Sequence, residues 1–68
     1  MTLDFLDIKI GDLIKYNFLY SNEPEKIGIV YKLKKDYNFS AMVYIVYNND
    51  IDCVPYNIME YKILDRKI

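Results

Sequence analysis

The sequence predicts a small all-β domain in which five short strands close into a barrel or sandwich. Three observations carry this. Residues 41–57, AMVYIVYNNDIDCVPYN, read as an apolar strand, an Asn48-Asn49-Asp50 turn, a short return strand and Pro55 as a stop. In residues 13–19, LIKYNFL, Ile14, Tyr16 and Phe18 alternate with Lys15 and Asn17, the period of two of a half-buried strand. Turn-forming residues recur about every 8–12 positions, the spacing of a small barrel or sandwich.

The elements follow in order. Residues 1–10 alternate only loosely, and Gly11-Asp12 punctuates them at once, so an extended or irregular lead-in arm is expected. The first strand covers 13–19. Residues 20–26, YSNEPEK, are a loop by composition. The second strand covers 27–33, with Gly28 marking a bulge or sharp bend where a short sheet curls. Residues 34–40, KKDYNFS, form a second loop. The third strand, 41–47, is rich in β-branched and aromatic residues, which decides for strand over helix. Asn48, Asn49 and Asp50 tolerate the positive φ of a tight hairpin turn. The fourth strand, 51–54, ends at Pro55, which has no N–H for a ladder. Residues 56–59 fit a single 3₁₀ turn, residues 60–64 a fifth strand, and 65–68 a short charged tail.

The core expected from this pattern is Ile14, Tyr16, Val30, Val43, Ile45, Val54, Met59 and Ile63. Strands two and three are apolar on both faces, so alternation alone leaves open which face of 27–33 and of 41–47 points inward. With that core, Tyr44 and Val46 point outward, an apolar pair for a solvent-facing position.

Composition bounds the rest. The 68 residues make one domain (1–68) with a stability of about a few kcal/mol. A single cysteine, Cys53, allows no internal disulfide, and it is expected to be a buried, inert thiol. With no histidine and one thiol, metal help to the fold is not expected, nor is a cofactor. No apolar run approaches the ~20 residues of a membrane span. The first residues carry Asp4 and Asp7 and no basic region, so a secretory signal is not expected and synthesis in the cytoplasm is. Net charge is −1, which gives no whole-molecule attraction to nucleic acid or anionic membrane. Ile, Lys, Asn and Tyr make up 32 of the 68 residues, the signature of an AT-rich genome.

The order of elements resembles that of SH3-like barrels. IKIGDLIKY at 8–16 is similar to the Gly-Asp-apolar-apolar-basic opening of many SH3-like, KOW-like and Tudor-like barrels. VYNNDIDCVPYNIMEYKIL at 46–64 resembles their distal hairpin, Pro-containing 3₁₀ turn and last strand. The same opening, a Gly-Ile-Val second strand and an Asn-Asp…Val-Pro hairpin also look like small proteins of tailed phages. The resemblance implies a five-stranded SH3-like barrel with a 3₁₀ turn before the last strand. It further implies a small structural or accessory component of a phage particle, made in the cytoplasm and incorporated in a virion.

Four kinds of chemistry are weighed on the residues. Pro55-Tyr56-Asn57-Ile58 is similar to the Pro-x-Asn-Tyr segment with which SH3 domains hold proline-rich ligands. Ile58 stands where that tyrosine would be and the groove tryptophan is missing, which argues against this mode. Tyr20, Tyr37, Phe39, Tyr44, Val46 and Tyr56 are candidates for a protein interface, because tyrosine is large, stiff and polar at its tip. Packing competes for each tyrosine, since a small barrel without tryptophan must fill its core with them. Lys32, Lys34 and Lys35 beside Tyr31 and Tyr37 are candidates for nucleic-acid binding, in the manner of a KOW-like or Tudor-like module. Asp36 interrupts that cluster, and a charged run at a strand end ordinarily protects a sheet edge. Catalysis is not expected: there is no histidine base and the carboxylates are scattered. Asp50 and Asp52 with Asn48 and Asn49 do not match a calcium-loop spacing, and a turn explains them better. The function expected is therefore non-enzymatic protein–protein contact, with a protein partner or a homo-oligomer. A regulator bound to a host protein is a further form of the same contact.

Overall fold

The computed structural model describes residues 6–35 and 41–66. Five strands lie in one antiparallel sheet: β1 (Leu13–Phe18), β2 (Lys26–Lys35), β3 (Ala41–Tyr47), β4 (Asp50–Pro55) and β5 (Met59–Asp65). A single 3₁₀ turn, η1 (Tyr56–Ile58), joins β4 to β5. The spatial order is β4-β3-β2-β1-β5. β4 and β5 are therefore the two edges and the sheet is open, where a closed sheet was expected. The lead-in segment contributes Leu6 and Ile8, both buried, to the core that the curled sheet leaves to be covered.

Alternation assigns the two faces. Ile14 and Tyr16 of β1, Val30 of β2, Ala41, Val43 and Ile45 of β3, Val54 of β4 and Met59 of β5 point inward and are buried. Phe18, Leu33, Tyr56, Tyr61 and Ile63 pack against them. Seven of the eight expected core residues are buried and Ile63 lies at the margin. Antiparallel partners share a face, so register carries inwardness from strand to strand: Ile14 faces Ile63, and Val43 faces Val54.

The hairpin turn has two residues. Asn48 (φ 52°) and Asn49 (φ 65°) both take positive φ, the requirement of a tight primed turn, and Tyr47 pairs directly with Asp50. Asparagine tolerates this conformation better than most side chains, because its short polar group finds local partners.

Three expectations are corrected. First, the bulge on β2 lies not at Gly28 but at Tyr31: Val30 faces Ile45 and Lys32 faces Tyr44, leaving Tyr31 extra. At Gly28 the sheet instead folds so tightly that a Cβ would stand 2.5 Å from Ile45 Cγ2 and 2.6 Å from the Val46 carbonyl oxygen. Second, β2 runs on to Lys35, because Lys34 and Lys35 find partners in Met42 and Ala41 of an equally extended β3. Charged side chains suit such a strand end, where they stay in water. Third, Cys53 is exposed. Its neighbour Val54 takes the inward position of an edge strand, and alternation sends Cys53 out.

Gly28→Ala tests the close approach. With Ile45 and the Val46 carbonyl in the way, the change should cost about 1–3 kcal/mol in a urea unfolding series. An unchanged midpoint would mean that β2 and β3 do not approach this closely.

Candidate functional site

The sheet's outer face divides into two wings of opposite character. On β1 and β5 it carries Lys15 opposite Lys62 and Asn17 opposite Glu60. On β2, β3 and β4 it is apolar. One row crosses four strands: Leu13 faces Ile29, Ile29 faces Val46, and Val46 faces Ile51. Ile27 lies beside this row. Ile27, Ile29, Tyr31, Val46 and Ile51 are 53, 49, 39, 43 and 58% exposed. A second row is amphipathic. Lys32 faces Tyr44, and Tyr44 faces Cys53. Tyr31 meets Tyr44 edge-on with ring centres 5.9 Å apart, and Lys32 Nζ sits 5.4 Å from the Tyr44 ring centre. A hydrogen bond with the Cys53 thiol, ahead of its charge and of burial, raises the Tyr44 phenol above its ordinary value.

The free edge beside this wing is blunted. Tyr47 and Asp50 close a two-residue turn, so residues 50, 52 and 54 bond to β3 while 51, 53 and 55 turn their backbone groups outward. The Ile51 N–H donates to Asp50 Oδ1 at 2.8 Å, and Pro55 has no N–H. Cys53 is left as the one outward backbone donor of β4, too little for an added strand.

Polar groups cap the inner face in two places. At the hairpin end, Tyr16 Oη donates to Asp52 Oδ2 at 2.9 Å, and Lys26 Nζ lies 3.4 Å from the same oxygen. Lys26 also sits 5.3 Å from the Tyr47 ring centre, and Tyr47 meets Tyr16 edge-on. Burial, then the Asp52 hydrogen bond, push the Tyr16 phenol well above its ordinary value. Lys26, Tyr47, Asp50 and Asp52 line a hollow of about 270 Å³ here. Asp52 is engaged by Tyr16 and Lys26, and Asp50 by its own strand. Among the described residues no group of His, Cys, Asp or Glu is placed to hold a metal ion.

At the other cap, Asp12 is fully buried. Arg66 reaches it with Nε to Oδ1 at 3.0 Å and Nη2 to Oδ2 at 3.1 Å, and the Lys9 N–H donates to Oδ2 at 2.8 Å. Burial alone would push this carboxyl up and is the largest single effect. The Arg66 and Lys9 hydrogen bonds and the two nearby positive charges together outweigh it and hold the carboxyl below its ordinary 3.8. Arg66 also donates to the Asp7 carbonyl.

The sequence-derived candidates separate in space. Tyr44 and Val46 share the outer face. Tyr56 does not join them: it packs against the core and shares a 3.1 Å hydroxyl contact with Tyr61. Burial, then that contact, raise the Tyr61 phenol. Tyr20 is 88% exposed and lines a separate hollow of about 350 Å³ with Phe18, Leu19 and Ile58. Tyr37 and Phe39 lie outside the described residues. Of the lysines, Lys32 and Lys34 pair with outward Tyr44 and Met42, whereas Lys35 pairs with inward Ala41 and falls on the other face. Of the row of Leu13, Ile29, Val46 and Ile51, sequence reasoning picked out Val46 alone. Each residue belongs to a different strand, and only the register aligns them. Comparison with protein-family models, with curated proteins and with solved structures finds no match for this chain.

The Asp12 site makes a prediction about pH. In the native chain the carboxyl sits below its unfolded value. Its contribution to stability is therefore present above about pH 4 and is lost as pH falls through the folded value. Arg66→Met removes its hydrogen bonds and charge and leaves the Lys9 N–H and charge alone against burial, so the folded value should rise. The Asp12 contribution gained above about pH 4 should then shrink, and its slope should flatten or reverse. Unfolding midpoints of wild type and of Arg66→Met, each with and without Asp12→Asn, taken from about pH 3 to 8, read this directly. A contribution with the same slope in both backgrounds would rule out Arg66 as the controlling partner.

Proposed function

We propose that this chain is a non-enzymatic interaction module that docks a protein on the outer face of β2, β3 and β4. The observation that carries the reading is the four-strand apolar row of Leu13, Ile29, Val46 and Ile51. Those side chains are not needed for the core, which the opposite face already fills. A contiguous apolar patch with a polar border is the ordinary mark of a contact surface. The border is present: Lys32 and Lys34 stand at one end, and Lys15, Lys62 and Glu60 on the neighbouring wing. The blunted β4 edge favours contact across the face over addition of a strand.

The strand order, the two-residue hairpin and the 3₁₀ turn before the last strand support the SH3-like reading, here with an open sheet. In its most concrete form, which rests on the sequence resemblance, the module is a small accessory part of a phage particle. There it would hold a neighbouring subunit or brace an assembly.

A nucleic-acid module is the rival. Lys32 and Lys34 beside Tyr31 and Tyr44 on one face favour it. Lys35 does not join them, and the adjoining row is aliphatic, which offers bases neither charge nor a stacking plane.

One substitution separates the two. Ile29→Lys places a charge in the centre of the row at a half-exposed position, so the fold should hold at a cost of about 1 kcal/mol. Contact with protein, whether another species or a second copy, should be lost. Affinity for single-stranded DNA or RNA should instead rise, if there is any. Protein contact that survives Ile29→Lys would overturn the assignment. Retardation of nucleic acid that falls steeply with salt and needs Lys32 and Lys34 would put the rival in its place.

A further inference from the structure

The geometry points to a second copy of this chain as the occupant of that face, seated across a two-fold axis with the two β2 strands antiparallel. The inference rests on the interaction reading above and names its partner.

The first argument is charge. Read along the outer face, β2 and the residue before it present Glu25, Ile27, Ile29, Tyr31, Lys32 and Lys34. The strand is acidic at its start, apolar at its centre and basic at its end. Lys15, which faces Ile27 on the outer side, holds Glu25 at that end at 3.5 Å. A two-fold axis lying between the two faces, perpendicular to β2 near Ile29, reverses the strand direction and turns the faces together. It lays Glu25 against the second copy's Lys34 and does so twice, with Ile29 and Tyr31 near the axis. A surface that pairs with its own reversed image is what an isologous contact requires. The same chain stacked in parallel would set lysine on lysine.

The second argument is area. Five side chains exposed by 39–58% amount to roughly 500 Å² on each copy. Two copies would hide about 1,000 Å², the lower bound for a specific interface. Area at that bound is the size of a weak contact rather than of an obligate dimer, so association is sought from about 10 µM to 1 mM protein. Two sheets packed face to face at about 10 Å, as in a β-sandwich, suit two flat apolar faces.

The third argument concerns closure. Past Leu13 the outer face of β1 and β5 is polar, with Lys15 beside Lys62, so the apolar patch ends there. The β4 edge has one outward N–H donor left. On this wing neither route extends the assembly, and a two-fold contact uses up the patch in a closed pair.

The test is the solution mass of the full chain by sedimentation, with circular dichroism to confirm that each variant folds. Wild type should move from monomer towards dimer as concentration rises through the range above. Glu25→Lys alone, or Lys34→Glu alone, should weaken the dimer by about tenfold or more, because each sets like charges together twice. An equimolar mixture of the two single variants should recover dimerisation. In the mixed pair, the lysine introduced by Glu25→Lys meets the glutamate introduced by Lys34→Glu. At the other contact the two unaltered side chains, Glu25 and Lys34, meet as in wild type. Ile29→Lys should remain monomeric throughout.

A folded wild type that is monomeric at about 1 mM, the top of that range, overturns the inference. So does a dimer indifferent to Ile29→Lys, or a mixture that dimerises no better than its components. The two readings fail separately. If wild type stays monomeric yet captures another protein through a contact that Ile29→Lys abolishes, the interaction module stands and the second copy does not.

Discussion

The buried Asp12 carboxylate and the Arg66 guanidinium tie residues 54 positions apart, and the rest of the structure leans on that tie. An open, curled sheet leaves part of its inner face to be covered, and Leu6 and Ile8 cover it. These two side chains precede the first strand and belong to no ladder. What fixes their segment is Gly11 and Asp12 bonded to Val30 in extension of the β1–β2 pairing, and Arg66 gripping both Asp12 and the Asp7 carbonyl. A buried carboxylate without a partner would be strongly unfavourable. Here both oxygens are engaged by Arg66, and Oδ2 also takes the Lys9 N–H. The pair therefore does more than cancel its own desolvation: it decides where the lead-in lies.

The second constraint is parity along β2. Gly28 and Val30 point inward, and Leu33 must also reach the core. Strict alternation would send Leu33 outward. The extra residue at Tyr31 resets the count, so that Leu33 faces inward opposite Val43. The same reset puts Lys32 and Lys34 on the outer face with Ile27 and Ile29. A bulge that serves the core thus also gives the outer face of β2 its acidic, apolar and basic order. Gly28 permits the other half of the arrangement, because no side chain fits between it and Ile45.

Much of the fold was legible because it depends on neighbours in sequence. Alternation placed Ile14, Tyr16, Val43, Ile45 and Val54 in the core, and two asparagines marked the hairpin turn. Cys53 shows where such reasoning fails. An apolar strand suggests burial for every member, but an edge strand buries one face only, and Val54 holds that face. Arg66 reads in sequence as part of a solvated tail, since nothing local signals that its partner lies at Asp12. The candidate interface was half visible. Parity places Tyr44 and Val46 outward only once Val43 and Ile45 are taken as core, which a strand apolar on both faces does not settle, while Tyr56 joins them in sequence only as a tyrosine near a turn. Ile29 and Ile51 were out of reach, because joining them to Val46 requires two registers, and one of those is offset by the bulge.

The apolar outer wing calls for an explanation that stability does not supply. Among the described residues ten side chains already fill the inner face, Ile8 and Leu6 from outside the sheet among them. Ile27, Ile29, Val46 and Ile51 lose about half of the stabilisation that full burial would give them, so their apolar character adds little to the folded monomer. β-propensity alone would be met as well by threonine, which keeps a strand branched and solvated. At the edge of the same wing, Asp50 and Pro55 suppress backbone donors, a device that resists association through strands. A surface that keeps its apolar side chains while disarming its edge discriminates between two modes of association. It leaves the face available and closes the ladder, as expected of a contact defined by side-chain shape and charge rather than by backbone pairing.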